Sequence, residues 1–327
     1  MSNLETTSNE FACAATPADH IEVLQPREVP LGGARAIGVR RTLPQRDRSL
    51  IGAWCFVDHY GPQNVAADGG MDVPPHPHTG LQTASWLFSG RVEHRDSGGV
   101  HALVRPGELN LMTAGAGICH SEVSIDPQEA PVLRGVQLWI ALPDGARHSA
   151  RDFNHFAPEP VSLPGASALV FLGELAGYRS PVPSFTPLLG AQLDLDPRTE
   201  LELDVNPTFE HGVLCDQGAV SLGGTALDVG ALGYQGPGRT VLPLRNTGDS
   251  SARILLLGGV PFREELVLWW NFIGRSHDEI VEFRQLWQDG DERFGQVSGY
   301  QGRLERLPAP AMPPLRLRPR RAGGGSS

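Results

Sequence analysis

HPHTGLQTASWLFSGRVEHRDSGGVHALVRPGELNLMTAGAGICHSE, residues 76–122, is the stretch whose reading decides the fold. Thr83 to Ser89 reads as a buried strand that stops at Gly90, and Arg91 to His94 follows before the Asp96–Gly99 turn, so a hairpin is expected over 83–94. His101 to Arg105 makes another short strand, Pro106-Gly107 turns the chain, and Glu108 to Thr113 runs on to the glycine-rich Ala114–Gly117. Short strands at close, regular spacing with Gly/Pro turns predict a sandwich or barrel rather than a parallel sheet.

Working outward, a second series has the same texture: Thr199 to Val205, Gly212 to Cys215, Ala219 to Leu222, Ala231 to Tyr234, Thr240 to Leu244 and Arg253 to Leu257. Gly90, a hairpin and Pro106-Gly107-Glu-Leu resemble Gly218, a hairpin and Val229-Gly230-Ala-Leu, a faint internal repeat that implies two similar antiparallel β-barrels. The chain has 39 glycines and 28 prolines, which suits many turns and short strands. The proline-rich Pro181–Pro187 marks the expected connection, giving a first barrel over 21–180 and a second over 181–307. One helix is signalled. Ser276-His-Asp-Glu279 is a capping box, Ile280, Phe283, Leu286 and Trp287 form an apolar face, and Gly290 ends it, so a short C-terminal helix is expected to cover a barrel, counted with the second. The small, polar residues 1–20 and the Pro/Arg/Gly-rich residues 308–327 read as a disordered N-terminus and a flexible tail.

Of 327 residues, 40% are hydrophobic and 20% charged, a globular composition. All 27 basic residues are Arg, against 37 acidic ones, and the net charge of −10 argues against a nucleic-acid-binding surface. No run approaches the ~18 apolar residues that a membrane span needs, and no signal-peptide pattern precedes Ile21, so a soluble cytoplasmic protein without membrane contact is expected. Cys13, Cys55, Cys119 and Cys215 form no CxxC, which excludes a zinc ribbon or dithiol motif and fits a reducing compartment.

The chemistry lies in His76-Pro77-His78 and His120-Ser121-Glu122. Side chains at i and i+2 of a strand share a face, so two such pairs on neighbouring strands present four convergent ligands. Three imidazoles and a carboxylate suit a first-row transition metal and extend the two-His-one-carboxylate site of non-haem iron oxygenases by one histidine. One HxH before a turn is more often surface polarity, but two pairs flanking the same strand series read as one metal site. Cys119, next to His120, should face away from it into the core. The weaker signals read as structural: Asp58-His59 as a hydrogen-bonded pair, His211 as an isolated, hydrogen-bonded structural histidine, and His94 and His101 as residues behind the ligands or on the surface. Of the adjacent Trp269 and Trp270, at most one should line a pocket.

Asp58-His-Tyr-Gly-Pro62, HPHTGLQT from His76, GRVEHRDSGG from Gly90, RPGELNLMTAGAGICHSE from Arg105 and PFREELVLWWNFIGRSHDEI from Pro261 together resemble the pirin family of the cupin superfamily, over about Gly32 to Pro308. The resemblance implies a bicupin with one metal per chain, usually iron, in the N-terminal barrel, other divalent transition metals also being accepted. The family's ligands fall on His76, His78, His120 and Glu122. It further implies either a quercetin 2,3-dioxygenase type of activity on a flavonol or related aromatic enol, with Glu122 as base, or a metal- or redox-responsive regulator that binds a protein partner. Thr79, Leu81, Gln82, Leu109, Asn110 and Leu111 depart from the common pirin pattern, which bears on substrate specificity but on no ligand. Offsets within the repeat put Asp204, Asn206, Pro243 and Arg245 at the matching places of the second barrel, which is no metal quartet.

Overall fold

The computed structural model describes residues 21–30, 38–302 and 304–320; the expected disordered segment 1–20 and the last part of the tail, 321–327, lie outside the described residues. Two seven-stranded sheets pack against each other at the centre. The first runs in the order Asp152–Phe156, Leu109–Thr113, Leu81–Ser89, Val132–Ala141, Trp54–Asn64, Gly38–Leu43, Arg27–Pro30. The second runs Glu22–Leu24, Leu232–Gln235, Glu210–Gln217, Ala252–Gly259, Leu188–Leu195, Ala166–Leu172, Val161–Leu163. Each large sheet faces a four-stranded one: Asp72–His78, Ile118–Ser124, Val92–Asp96, His101–Val104 in the first domain, and Glu200–Asp204, Val241–Asn246, Val220–Leu222, Thr225–Leu227 in the second. The two domains match strand for strand, which is the structural form of the faint repeat, and the all-β architecture with a short C-terminal helix is as expected.

Burial follows from this layering. Strands of the large sheets are covered on both faces, so Leu81–Ser89 and Val132–Ala141 read as nearly continuous buried runs. Where one face meets water the pattern alternates, as in Glu200–Asp204, with Leu201 and Leu203 inside and Glu200, Glu202 and Asp204 outside. Between the large sheets, Trp86 stacks on Phe171 with ring centroids 4.5 Å apart and donates from Nε1 to Gln192 Oε1 at 2.9 Å. Trp54 Nε1 points at the carbonyls of Leu189 and Gly258, both at 3.2 Å, so each buried indole has its donor satisfied across the domain boundary.

Four expectations are corrected. Leu81–Ser89 does not pair with Val92–Asp96; Gly90, at φ 94°, passes the chain from the large sheet to the small one, and the hairpin is Val92–Asp96 with His101–Val104. The proline-rich 181–187 is not the boundary at 21–180 and 181–307: Val161–Leu163 and Ala166–Leu172 already pair in the second large sheet, as does Glu22–Leu24 from the start of the described chain. The helix, His277–Asp289, is capped by Ser276 and Gly290 as read, yet it covers the first domain: Ile280, Phe283 and Trp287 pack with Cys119, Phe272 and Phe294. The tail is docked through Arg320: Ala309 is buried, its N–H bonds Gln288 Oε1 at 2.9 Å, and Arg320 bridges to Leu266.

Candidate metal centre

Asp72–His78 and Ile118–Ser124 are neighbours in an antiparallel ladder, with His76 opposite His120 and His78 opposite Ile118. The register slips between His120 and Glu122, where Pro74 and Pro75 lack the N–H groups a regular ladder needs. All three imidazoles therefore face inward, are buried, and bring one ring nitrogen each to within 4.8 Å of one another.

Hydrogen bonds fix which nitrogen His76 and His78 offer. His76 Nδ1 lies 2.9 Å from the Pro74 carbonyl and His78 Nδ1 3.0 Å from the Asn271 carbonyl. A carbonyl only accepts, so both rings are protonated on Nδ1 and their Nε2 lone pairs are free. His120 Nδ1 lies 3.4 Å from His94 Nδ1, and His94 Nε2 lies 3.1 Å from Asp96 Oδ2. Burial lowers the pKa of His76 to about 4 and places those of His78 and His120 well below the ordinary histidine value, so all three are neutral at physiological pH. Buried, neutral imidazoles with converging ring nitrogens are the donor set a divalent transition metal requires.

Glu122 lines the same cavity as His76 and His78 but stands outside the tight three-histidine cluster. Its Oε1 is 3.4 Å from Ser85 Oγ, which is 2.9 Å from Gln137 Oε1. Burial raises its pKa, opposed by nearby His94 and the Ser85 hydrogen bond. The cavity holds about 340 Å³, and Phe56, Trp139 and Trp270 contribute aromatic walls. Phe56 and Trp139 sit opposite in adjacent strands and stack at 4.1 Å with an 11° interplanar angle; the Arg41 guanidinium lies 4.3 Å above Phe56 and makes a two-pronged bond to buried Asp58, both contacts 2.7 Å.

The lining includes residues the sequence reading did not assign. Trp270, Asn271 and Leu307 come from the C-terminal segment, which returns from the second domain to close over the first: Ile273 N bonds Thr79 O and Leu307 N bonds Pro75 O. Separations of 194 and 232 residues along the chain carry no local signal for this. The weaker readings sort themselves out. Of the tryptophan pair, Trp270 lines the cavity. Cys119 faces away from the histidines, under the helix. Asp58 and His59 do not bond each other, Asp58 pairing with Arg41 and His59 with Asp216. His101 is on the surface with Glu93, whereas His94 is buried behind His120.

In the second domain, Asp204, Asn206, Pro243 and Arg245 are exposed, while Leu203, Leu242 and Leu244 take the inward places. A slip of one residue in matching the repeats exchanges the two faces. No second metal-ligand cluster occurs among the described residues. His211 is fully buried there, and neither ring nitrogen has a partner among the described residues, so the hydrogen-bonded role expected of it is not found.

Comparisons with known proteins agree with this picture. The family model described as Pirin matches residues 36–140, and that of the Pirin C-terminal cupin domain matches 190–295. The chain is 42% identical over 317 residues to a Pseudomonas aeruginosa protein named "Putative quercetin 2,3-dioxygenase", covering 96% of this chain and 98% of that one. It is 34% identical over 262 residues to a pirin-like protein of Caulobacter vibrioides, covering 77% and 88%. A crystal structure of quercetin 2,3-dioxygenase from Acinetobacter baumannii superposes with a TM-score of 0.85 at 38% identity, covering 91% of this chain and 97% of that one.

Proposed function

Because the chain belongs to the pirin family, with a cupin domain matched in each half, we propose that it is a metal-dependent dioxygenase of the quercetin 2,3-dioxygenase type, acting on a flavonol or related aromatic enol. One observation carries the metal centre: His78 Nε2 and His120 Nε2 lie 3.1 Å apart. His78 Nε2 is a bare lone pair, His120 Nε2 faces it, and His76 brings a ring nitrogen within 4.8 Å of both in a buried site, so a shared cation would be held by all three rings. His76, His78 and His120 would hold the metal, iron first and other divalent transition metals by the same donors, one per chain, with Glu122 as fourth ligand. The metal would supply Lewis acidity and one-electron chemistry for the reaction of an enol with O₂.

The chain's own residues do the rest. Glu122 lines the cavity beside the histidines, and as a carboxylate it would take the proton of the substrate hydroxyl. Trp139 and Trp270 line the cavity with aromatic surface that suits a flat aromatic ring. An aromatic-walled cavity beside the histidines supports turnover over a purely regulatory role, since regulation alone needs no such space. Three buried free cysteines, Cys55, Cys119 and Cys215, support a reducing, cytoplasmic setting; no described helix is long and apolar enough to cross a membrane.

The test is aerobic assay of iron-loaded protein against a panel of flavonols and simple phenols, recording O₂ uptake and loss of substrate absorbance together. Equimolar consumption with flavonols is expected. Absence of O₂ uptake with every member of the panel, in protein shown to hold iron, overturns the dioxygenase reading.

A further inference from the structure

His76 and His78 have their protonation fixed by backbone carbonyls, but His120 does not. Its Nδ1 faces another imidazole, His94, on the strand Val92–Asp96 that pairs with Ile118–Ser124. His94 and Asp96 are both buried. Asp96 Oδ1 accepts from the N–H groups of Gly98, at 2.7 Å, and Val100, at 3.1 Å, so the turn pins the carboxylate while Oδ2 is left for His94 Nε2. The Phe153 ring, 5.0 Å from that of His94, packs on it from the large sheet.

We infer that His94 and Asp96 are positioning residues for the metal centre, acting through His120. Asp96 accepts the His94 Nε2 proton; His94 Nδ1 is then a bare acceptor and takes the His120 Nδ1 proton; His120 Nε2 is left unprotonated and aimed at His78 and His76. The opposite assignment places a His94 lone pair against a buried carboxylate and protonates His120 on the nitrogen that must bind metal. Partners behind a ligand histidine fix its tautomer and orientation, and their loss commonly costs 10–100-fold in metal affinity. The inference rests on the metal-centre reading and extends it by two residues outside the ligand set.

The test uses full-length protein, Zn(II) as probe, and ¹⁵N NMR of the histidine rings. Asp96→Asn keeps an oxygen for Gly98 and Val100 but turns an NH₂ toward His94, reversing the relay. The expected results are a Zn(II) affinity weakened by about 10–100-fold and, in metal-free protein, a His120 proton moved from Nδ1 to Nε2. His94→Leu should weaken Zn(II) similarly and serves if Asp96→Asn does not fold. His94→Asn places a carbonyl oxygen where Nδ1 was and should regain most of the affinity, which a merely space-filling role for His94 does not predict. Unchanged affinity and an unchanged His120 tautomer in Asp96→Asn overturn the inference while leaving the metal centre intact. An unaltered protein that takes up no Zn(II) overturns both. Neither readout involves a flavonol, so a failed oxygenase assay is a separate result.

Discussion

His59, on a strand of the first domain, and Asp216, on a strand of the second, meet at 2.7 Å with both side chains fully buried. Arg134 also donates to Asp216 Oδ1, at 2.8 Å, and Arg253 lies 3.6 Å from Oδ2, so one carboxylate ties together groups of both domains. Burial lowers the His59 pKa, opposed by the Asp216 bond, so the histidine serves as a neutral donor.

Asp216→Ala should therefore destabilise the protein by about 2–4 kcal/mol, because it leaves a buried imidazole without its acceptor and removes the counter-charge of Arg134, which keeps only neutral acceptors at the Asp216 carbonyl and Gln217. Urea denaturation of the variant beside the unaltered protein measures this. A change under about 0.5 kcal/mol would mean that the joint is energetically idle.

Metal content should be close to one per chain, since one histidine cluster is present among the described residues. His78→Ala should lose nearly all of it, and elemental analysis after dialysis gives the answer. Full retention by that variant would show that the ligand assignment is wrong.

Glu122→Gln keeps an oxygen on the cavity wall but removes the charge and the proton acceptor. The expected outcome is partial metal retention with turnover lowered by about 10²–10⁴-fold. Steady-state assay of metal-loaded variant and parent compares them, and equal rates would exclude Glu122 as the base.

His211 tests the second domain through pH. Burial lowers its pKa to about 4, against about 6.5 in an unfolded chain. Protons therefore bind the unfolded state first, and stability falls as pH drops from about 6.5 toward 4, by something on the order of 3 kcal/mol in all. His211→Leu removes this dependence without leaving a buried polar group. Thermal midpoints of both proteins at pH 7.5 and pH 5 should draw apart, the variant losing less on acidification. Parallel losses would assign the acid sensitivity elsewhere.

Much of the fold was legible because its signals are local. Gly/Pro turns, a two-residue burial period and the Ser276 and Gly290 caps are written within a few residues of the elements they shape. The histidine cluster was legible for the same reason: i and i+2 on one strand share a face whatever the rest of the chain does, so His76 and His78 needed only a neighbouring His120. The hairpin over 83–94 misled because Gly90 permits a turn but does not say which sheet the next strand joins.

The sequence by itself thus determined two β domains, part of their strands, one capped helix and three converging histidines. Tertiary structure alone decided that Glu22–Leu24 and Val161–Leu172 belong to the second domain, and that the helix and tail close over the first. It also decided which groups stand behind the histidines: the Asn271 carbonyl at His78 Nδ1, and His94, itself against Asp96, at His120 Nδ1. The physical reason is one of range. Propensity and periodicity act between neighbours in sequence, whereas the partner of a buried polar atom is whichever group the packed chain brings within about 3 Å, however distant in sequence.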